Sequence, residues 1–331
     1  MTLFIGLCPV ALCLANESGI TVQGNQLLKD GVEWIPRGFT VVGFVAPESR
    51  LNSVLQEGRK SWGPALLERA RGLGADVLRF QVSQAGLDSQ SSIYDAQYLG
   101  QIISAVHQAR EKGFSVIISM QWEPPSGLTG QPMMPSDITR RAWSRIAGSF
   151  ADDKYVMLEL FNEPAVKPSA AAWSEWRSDM QSLVDLVRQS GAPNTLLLDG
   201  IRSSRYLKEA PEVNDPLHKY AYAVHPYVDG TDHSPADWTR DFGNFATRHA
   251  VLVTEWNATP KLEECSANMP EVSRAFMAYL KERRIGLVLW ALDLHRTLFD
   301  DNDKPLEFKG FQCGTWGTGA AHVAFEYFRS I

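Results

Sequence analysis

The chain has 331 residues, 44% hydrophobic and 21% charged, with 32 Lys and Arg against 38 Asp and Glu for a net charge of −6. That is an ordinary soluble globular composition, long enough for one large α/β barrel or two small domains. No basic stripe is present, which argues against a nucleic-acid backbone as partner. Ten tryptophans is a high count, and flat aromatic faces serve sugar clefts as well as cores.

Residues 3–15 form an apolar stretch too short to span a bilayer, ending in Cys13-Leu14-Ala15. It reads as the hydrophobic part of a secretory signal over residues 1–15, although no Lys or Arg precedes it. A buried N-terminal strand is the alternative. The signal reading implies a secreted or periplasmic protein, a catalytic domain over 16–331 and no membrane contact once the signal is removed. Cys8 and Cys13 would leave with it. Cys265 and Cys313 would remain, and both a Cys265–Cys313 disulfide and two buried thiols stay open.

Next, residues 20–22 and 27–28 flank Gly24-Asn25-Gln26 as a hairpin, and Asp30-Gly31 marks a second turn before Trp34-Ile35-Pro36. This is the expected lid on the bottom of a barrel. Eight apolar runs follow, at 37–44, 77–82, 115–122, 155–161, 195–198, 221–224, 251–254 and 286–290. Amphipathic helical stretches lie between or after them at 95–112, 136–150, 173–187, 270–283 and 318–328. The segments after the first, fifth and sixth runs carry a weaker helical pattern. Eight strands alternating with helices predict an α/β fold, a single-domain (β/α)8 TIM barrel with a short N-terminal hairpin. No GxGxxG or phosphate loop opens a helix, which removes the main signature of a nucleotide-binding sheet.

In such barrels chemistry sits at the C-terminal strand ends. The fourth run, within Val-Met-Leu-Glu-Leu-Phe-Asn-Glu-Pro, is stopped by Pro164 and leaves Asn162-Glu163 at the lip. The seventh ends in Glu255-Trp256. Two glutamates at strand ends are what double-carboxylate glycoside chemistry needs. The other ends supply Gln121-Trp122, His225-Pro226-Tyr227 and Trp290, and the second run carries Arg79.

Arg79, Asn162-Glu163-Pro164, His225-x-Tyr227, Glu255 and Trp290 occur in the order and strand positions of glycoside hydrolase family 5 of clan A, which this chain resembles from about Ile20 to the last helix. Gln121 stands where that family usually shows a His; it can hydrogen-bond a hydroxyl but cannot carry a proton. The resemblance implies a cellulase-like retaining enzyme with no cofactor and no metal, acting on a polysaccharide or oligosaccharide. Glu163 would be the acid/base, its proton favoured by partial desolvation and a neighbouring carboxylate. Glu255 would be the nucleophile, its charge stabilised by Arg79 and the Tyr227 hydroxyl. Asn162 would hold the sugar 2-hydroxyl, His225 would donate to one of the two carboxyls, and Trp290 would floor the cleaved ring. Gln121 and Trp122 complete the expected substrate-binding set. Retention requires the carboxyl groups to lie about 5–5.5 Å apart.

Structural readings stand beside these. Arg79 could be a barrel-interior ion-pair partner, His225 a hydrogen-bonded core residue and Trp290 plain packing. Trp62, Trp122 and Trp256 are as suited to anchoring as to sugar stacking. His225, Asp229, Asp232 and His233 lack compact metal-ligand spacing. Asp300-Asp301-Asn302-Asp303 lacks the Gly and Glu of a calcium loop and reads as a solvated turn. A Ser/His/Asp hydrolase is disfavoured because no G-x-S-x-G elbow appears. The expected activity is endo-β-1,4-glucan hydrolysis. The same mechanism on β-mannan or mixed-linkage β-glucan, and a non-catalytic carbohydrate-binding protein on this scaffold, are the alternatives.

Overall fold

The structure is a computed structural model that describes residues 18–227, 234–258, 269–307 and 320–331. The expected signal, Cys265, Cys313, Asp229, Asp232 and His233 lie outside the described residues. Among the described residues no helix is long and apolar enough to cross a membrane.

Three short antiparallel strands open the chain: β1 (Ile20–Gln23), β2 (Gln26–Lys29) and β3 (Val32–Glu33). The expected hairpin is therefore extended by a third strand after the Asp30-Gly31 turn. Eight parallel strands then close a barrel: β4 (Arg37–Val41), β5 (Val77–Ser83), β6 (Ser115–Gln121), β7 (Val156–Glu159), β8 (Leu196–Asp199), β9 (Tyr220–Val224), β10 (Val251–Trp256) and β11 (Leu287–Leu289). Their order around the barrel is the chain order, with β11 returning to β4. All eight apolar runs of the sequence became strands of one (β/α)8 barrel.

Each strand is buried on both faces, and the two faces do different work. Leu78, Phe80 and Val82 of β5 face the surrounding helices. Val77 belongs to a separate core of barrel-interior residues with Ile117, Met157, Leu197, Leu252 and Val288. Ile20 and Leu27 of the N-terminal sheet join that core, so the sheet closes the barrel's lower end. Moving up by two residues along the inward face, the side chains turn polar: Arg79 and Gln81 on β5, Ser119 and Gln121 on β6, Glu159 on β7, Asp199 on β8. The interior thus passes from an aliphatic floor to a charged upper layer.

Helices Tyr98–Glu111, Asp137–Ile146, Ala170–Gln189, Met269–Arg283 and Ala320–Ser330 occupy the stretches with strong helical periodicity. The weaker segments divide. Two regular helices, Ser53–Ser61 and Pro64–Gly72, follow β4. After β8 there is only a four-residue turn, Ile201–Ser204, with Arg202 and Ser203 at positive φ. After β9 the described residues form short turns at Pro235–Trp238, Thr239–Gly243 and Phe245–Thr247. Two helix tryptophans brace the strand ends that matter most: Trp143 Nε1 donates to the Leu160 carbonyl at 2.7 Å, and Trp176 Nε1 to the Asp199 carbonyl at 2.8 Å.

Candidate active site

Arg79, fully buried on β5, organises the upper layer. Its Nε donates to Glu159 Oε2 at 2.6 Å and its Nη2 to Glu159 Oε1 at 3.0 Å. Its Nη1 donates to Glu255 Oε2 at 2.6 Å, and Nη2 also reaches Ser119 Oγ at 2.9 Å and Asn162 Oδ1 at 2.6 Å. Burial alone would weaken the guanidinium's hold on its proton. The carboxylates of Glu159 and Glu255 overturn that and raise its pKa. Glu159 mirrors it: burial favours the neutral acid, but Arg79 wins and holds the carboxyl well below the usual range.

Glu255 lies within a register shift between β10 and β11 at Val253–Trp256. Such irregularities re-aim side chains. Thr254 Oγ1 donates to Glu159 at 3.0 Å, while the next residue, Glu255, also reaches the interior. Besides Arg79, Glu255 receives Gln81 Nε2 at 3.0 Å on Oε2 and the Tyr227 hydroxyl at 2.9 Å on Oε1. Burial, then the charges of Glu255 and Glu163, raise the Tyr227 pKa, so the phenol keeps its proton.

Glu163 sits just past β7 with φ at 49°, a left-handed conformation uncommon for a non-glycine residue and frequent at functional sites. Its N–H donates to Asp199 Oδ2 at 2.9 Å. The turn after β8 holds the next residues: Ser203 N–H donates to the Pro164 carbonyl and Arg202 N–H to that of Val166, each at 3.0 Å. His225 Nδ1 lies 2.8 Å from Glu163 Oε1, and Nε2 lies 2.9 Å from Thr254 Oγ1. Burial would discharge this imidazole, but its bonds to Glu159 and Glu163, with the charges of Asp199 and Glu255, push its pKa up to about 10. Both ring nitrogens then donate. A carboxylate oxygen of Glu163, one of Glu255 and a ring nitrogen of His225 all lie within 4.8 Å of one another.

A cavity of about 730 Å³ opens above this layer, and Glu163 and Glu255 both line it. Gln121, Asn162, Tyr227 and Trp290 line it too. Arg79 and His225 stand behind the carboxylates, fully buried, and Arg79 also reaches the cavity through Asn162. Trp290 packs on an aliphatic cluster that includes Val42, Val45 and Leu294, and its carbonyl accepts from Asn257 Nδ2 at 2.7 Å.

Three tryptophans lie outside the lining of this cavity. Trp122 does not line the cavity: its ring lies parallel to Phe161 at 6.2 Å and its Nε1 donates to the Asn162 carbonyl at 2.8 Å. The cause is the two-residue period of β6, which turns Gln121 inward and its neighbour away. Trp62 packs edge-on against Phe44 and Phe80, and Trp256 is buried against Phe276. The Asp300–Asp303 segment is a turn in which Asp300 Oδ1 accepts from the N–H groups of Asn302 and Lys304.

Sequence reasoning missed Glu159, Asp199, Gln81 and Glu123. The first three are inward-facing members of apolar strands, and the signal was a polar residue on the inward two-residue period. Glu123 lies two residues past β6, lines the cavity and accepts from Asn162 Nδ2 at 2.5 Å. Burial, then the charge of Glu163, pushes its pKa up to about 8.

The family model for cellulase, glycosyl hydrolase family 5, matches residues 50–295. Among solved structures, a β-glucanase from Saccharophagus degradans is 20% identical, with a TM-score of 0.71 over 94% of this chain and 94% of its own. A cellotetraose complex of an endocellulase from Pyrococcus horikoshii is 14% identical, with a TM-score of 0.67 over 94% of this chain and 99% of its own. At these identities the two structures speak to the fold; the family match, spanning most of the chain and both lip glutamates, speaks to its chemistry. The chain belongs to glycoside hydrolase family 5, the cellulase family, and is a glycoside hydrolase.

Proposed function

We infer that the protein is a retaining, endo-acting β-1,4-glucanase in which Glu163 is the acid/base and Glu255 the nucleophile. The observation that carries this reading is the approach of the two carboxylates to within 4.8 Å across one cavity, in unlike surroundings. Inverting enzymes keep their carboxyls about 6.5–9.5 Å apart to admit a water; retaining enzymes bring them to about 5–5.5 Å. Three donors from Arg79, Gln81 and Tyr227 converge on Glu255, as suits the group that attacks the anomeric carbon as an anion. Among the described residues Glu163 has a single side-chain partner, His225, and it faces the cavity, as suits a group that passes a proton to the leaving oxygen and later takes one from water. Asn162, gripped by Arg79 and Glu123, is assigned to the 2-hydroxyl of the reacting sugar on this reading. Trp290 supplies the apolar floor.

The β-glucan substrate follows from the family and from the cellotetraose complex of the Pyrococcus relative. Export under a signal over residues 1–15 belongs to the same reading. Glu163→Gln and Glu255→Gln should each abolish hydrolysis of soluble cellulose derivatives while leaving the melting temperature near that of the parent. Full activity in either variant refutes the assignment. Release of the β-anomer first, followed by NMR, tests retention. A panel of β-1,4-glucan, mixed-linkage β-glucan and β-mannan separates the substrate alternatives, and binding without turnover on all three would favour a non-catalytic carbohydrate-binding protein.

A further inference from the structure

Asp199 ends β8 with its side chain fully buried beneath Glu163. It meets Glu163 by two routes. Directly, its Oδ2 accepts the Glu163 N–H at 2.9 Å, in the turn where Glu163 holds its left-handed φ. Indirectly, the same oxygen lies 3.7 Å from Nε2 of His225, whose Nδ1 contacts the Glu163 carboxyl. Its other oxygen, Oδ1, is buried without a hydrogen-bond donor. A buried carboxylate with a bare oxygen is costly, whereas a carboxylic acid needs fewer donors and can give its own proton away. The acceptor facing it is Glu159: an oxygen of each carboxyl and a nitrogen of His225 lie within 4.8 Å of one another.

The charges facing this group come from every neighbouring strand. β5 brings Arg79, β7 brings Glu159 and the Glu163 that follows it, and β9 leads into His225. Glu255 on β10 completes the set. Counting Arg79 and His225 as cations against Glu159 and Glu255 as anions, the layer is neutral when both Asp199 and Glu163 carry protons.

We propose that Asp199 is a positioning residue for the acid/base, acting as a neutral carboxyl that donates to Glu159 while its Oδ2 fixes the backbone turn presenting Glu163. The proposal rests on the reading of Glu163 as acid/base. Burial, and next the charge of Glu159, favour the protonated form in keeping with this.

An asparagine reproduces a neutral acid: its amide oxygen accepts the Glu163 N–H and its Nδ2 donates to Glu159. Asp199→Asn should therefore keep kcat/KM within about threefold of the parent and leave the alkaline limb of the pH–rate profile in place. Asp199→Ala and Asp199→Leu loosen the turn and should lower kcat/KM on cellotetraose by about tenfold or more, part of the roughly 10²–10⁴ that a positioned general acid supplies. A structural role alone would slow all substrates alike. In kcat/KM, which reports only the step that expels the leaving group, a misplaced acid matters only where that group needs a proton, so the loss should shrink to about threefold on 2,4-dinitrophenyl β-cellobioside. Equal losses on both substrates overturn the proposal, as does an Asn variant as impaired as the Ala one. Should Ala and Leu variants not fold, the Asn variant decides alone: retained activity upholds the neutral carboxyl and loss beyond about tenfold overturns it. Glu163→Gln assayed on the same pair separates the two levels. If it lacks the leaving-group dependence, the acid/base reading itself fails; if it shows that dependence and Asp199→Ala does not, only the role of Asp199 falls.

Discussion

Arg79 carries two partnerships that one substitution breaks and a second can separate. Its Nε and Nη2 bind Glu159, which no solvent reaches, and its Nη1 binds Glu255, whose side chain is 11% exposed toward the cavity. Arg79→Met takes from the buried Glu159 anion its two-point cation and leaves it His225 and the Thr254 hydroxyl, a change that costs about 3–5 kcal/mol. With about 2.1 cal/mol/K of unfolding entropy per residue, a chain of 331 residues loses roughly 4–7 °C in melting temperature for that cost. Hydrolysis should fall by about 10²–10³ or more, the usual cost of removing a preorganised donor from a reacting group. Adding Glu159→Gln removes that charge, while its Oε1 still accepts from Thr254. The double variant should regain at least half of the lost melting temperature and none of the lost activity, because Glu255 still lacks its cation. Thermal melts and cello-oligosaccharide hydrolysis at pH 7 read both. A double variant no more stable than Arg79→Met, or one that recovers hydrolysis, refutes the division of labour.

Glu123→Gln tests the third carboxyl of the cavity. Its folded pKa of about 8 lies above the unfolded value near 4.3, so the native state holds a proton the unfolded chain releases, and stability falls as pH rises between those values. The Gln variant should melt higher than the parent at pH 7 and equal to it at pH 4; the same difference at both refutes the cause. His225 has the same sign in a higher window. With a folded pKa of about 10, its contribution is complete below about 6.5 and is lost as pH rises through 10, so His225→Gln should flatten the parent's fall in melting temperature between pH 7 and pH 10. Trp290→Ala should raise KM on cello-oligosaccharides roughly tenfold, about 1.4 kcal/mol of lost ring contact; an unchanged KM removes it from the floor of the cleft.

The barrel was legible because a closed parallel sheet must bury both faces of every strand, and this chain writes each as an unbroken apolar run. The run at 155–161 reads longer than its ladder, Val156–Glu159, because Leu160 and Phe161 stay buried after pairing ends. The fifth and sixth crossovers were weak in sequence for a physical reason. The segment after β8 spends its backbone N–H groups on Pro164 and Val166, and so steadies the loop that carries Glu163 instead of forming a helix.

At the site, what stands at the ends of runs was visible and what stands inside them was not. Glu163 and Glu255 break an apolar pattern; Glu159 and Asp199 are single polar letters within one. Their importance lies in register between strands: Ser119 pairs with Glu159 across β6 and β7, Glu159 with Leu197 across β7 and β8, and Asp199 with Ala223 across β8 and β9. No single strand's sequence states that stagger, because it is a property of closure. The same period explains the two tryptophans that share a strand end with a site residue. A neighbour of an inward residue points outward, so Gln121 at the cavity requires Trp122 behind it. By that rule Thr254 and Glu255 could not both reach the interior. They do because the β10–β11 register slips between Val253 and Trp256, and the slip delivers a hydroxyl to Glu159 and a carboxylate to Arg79 from consecutive residues. The pairing of the two glutamates therefore depends on a local irregularity at β10 as much as on the barrel itself.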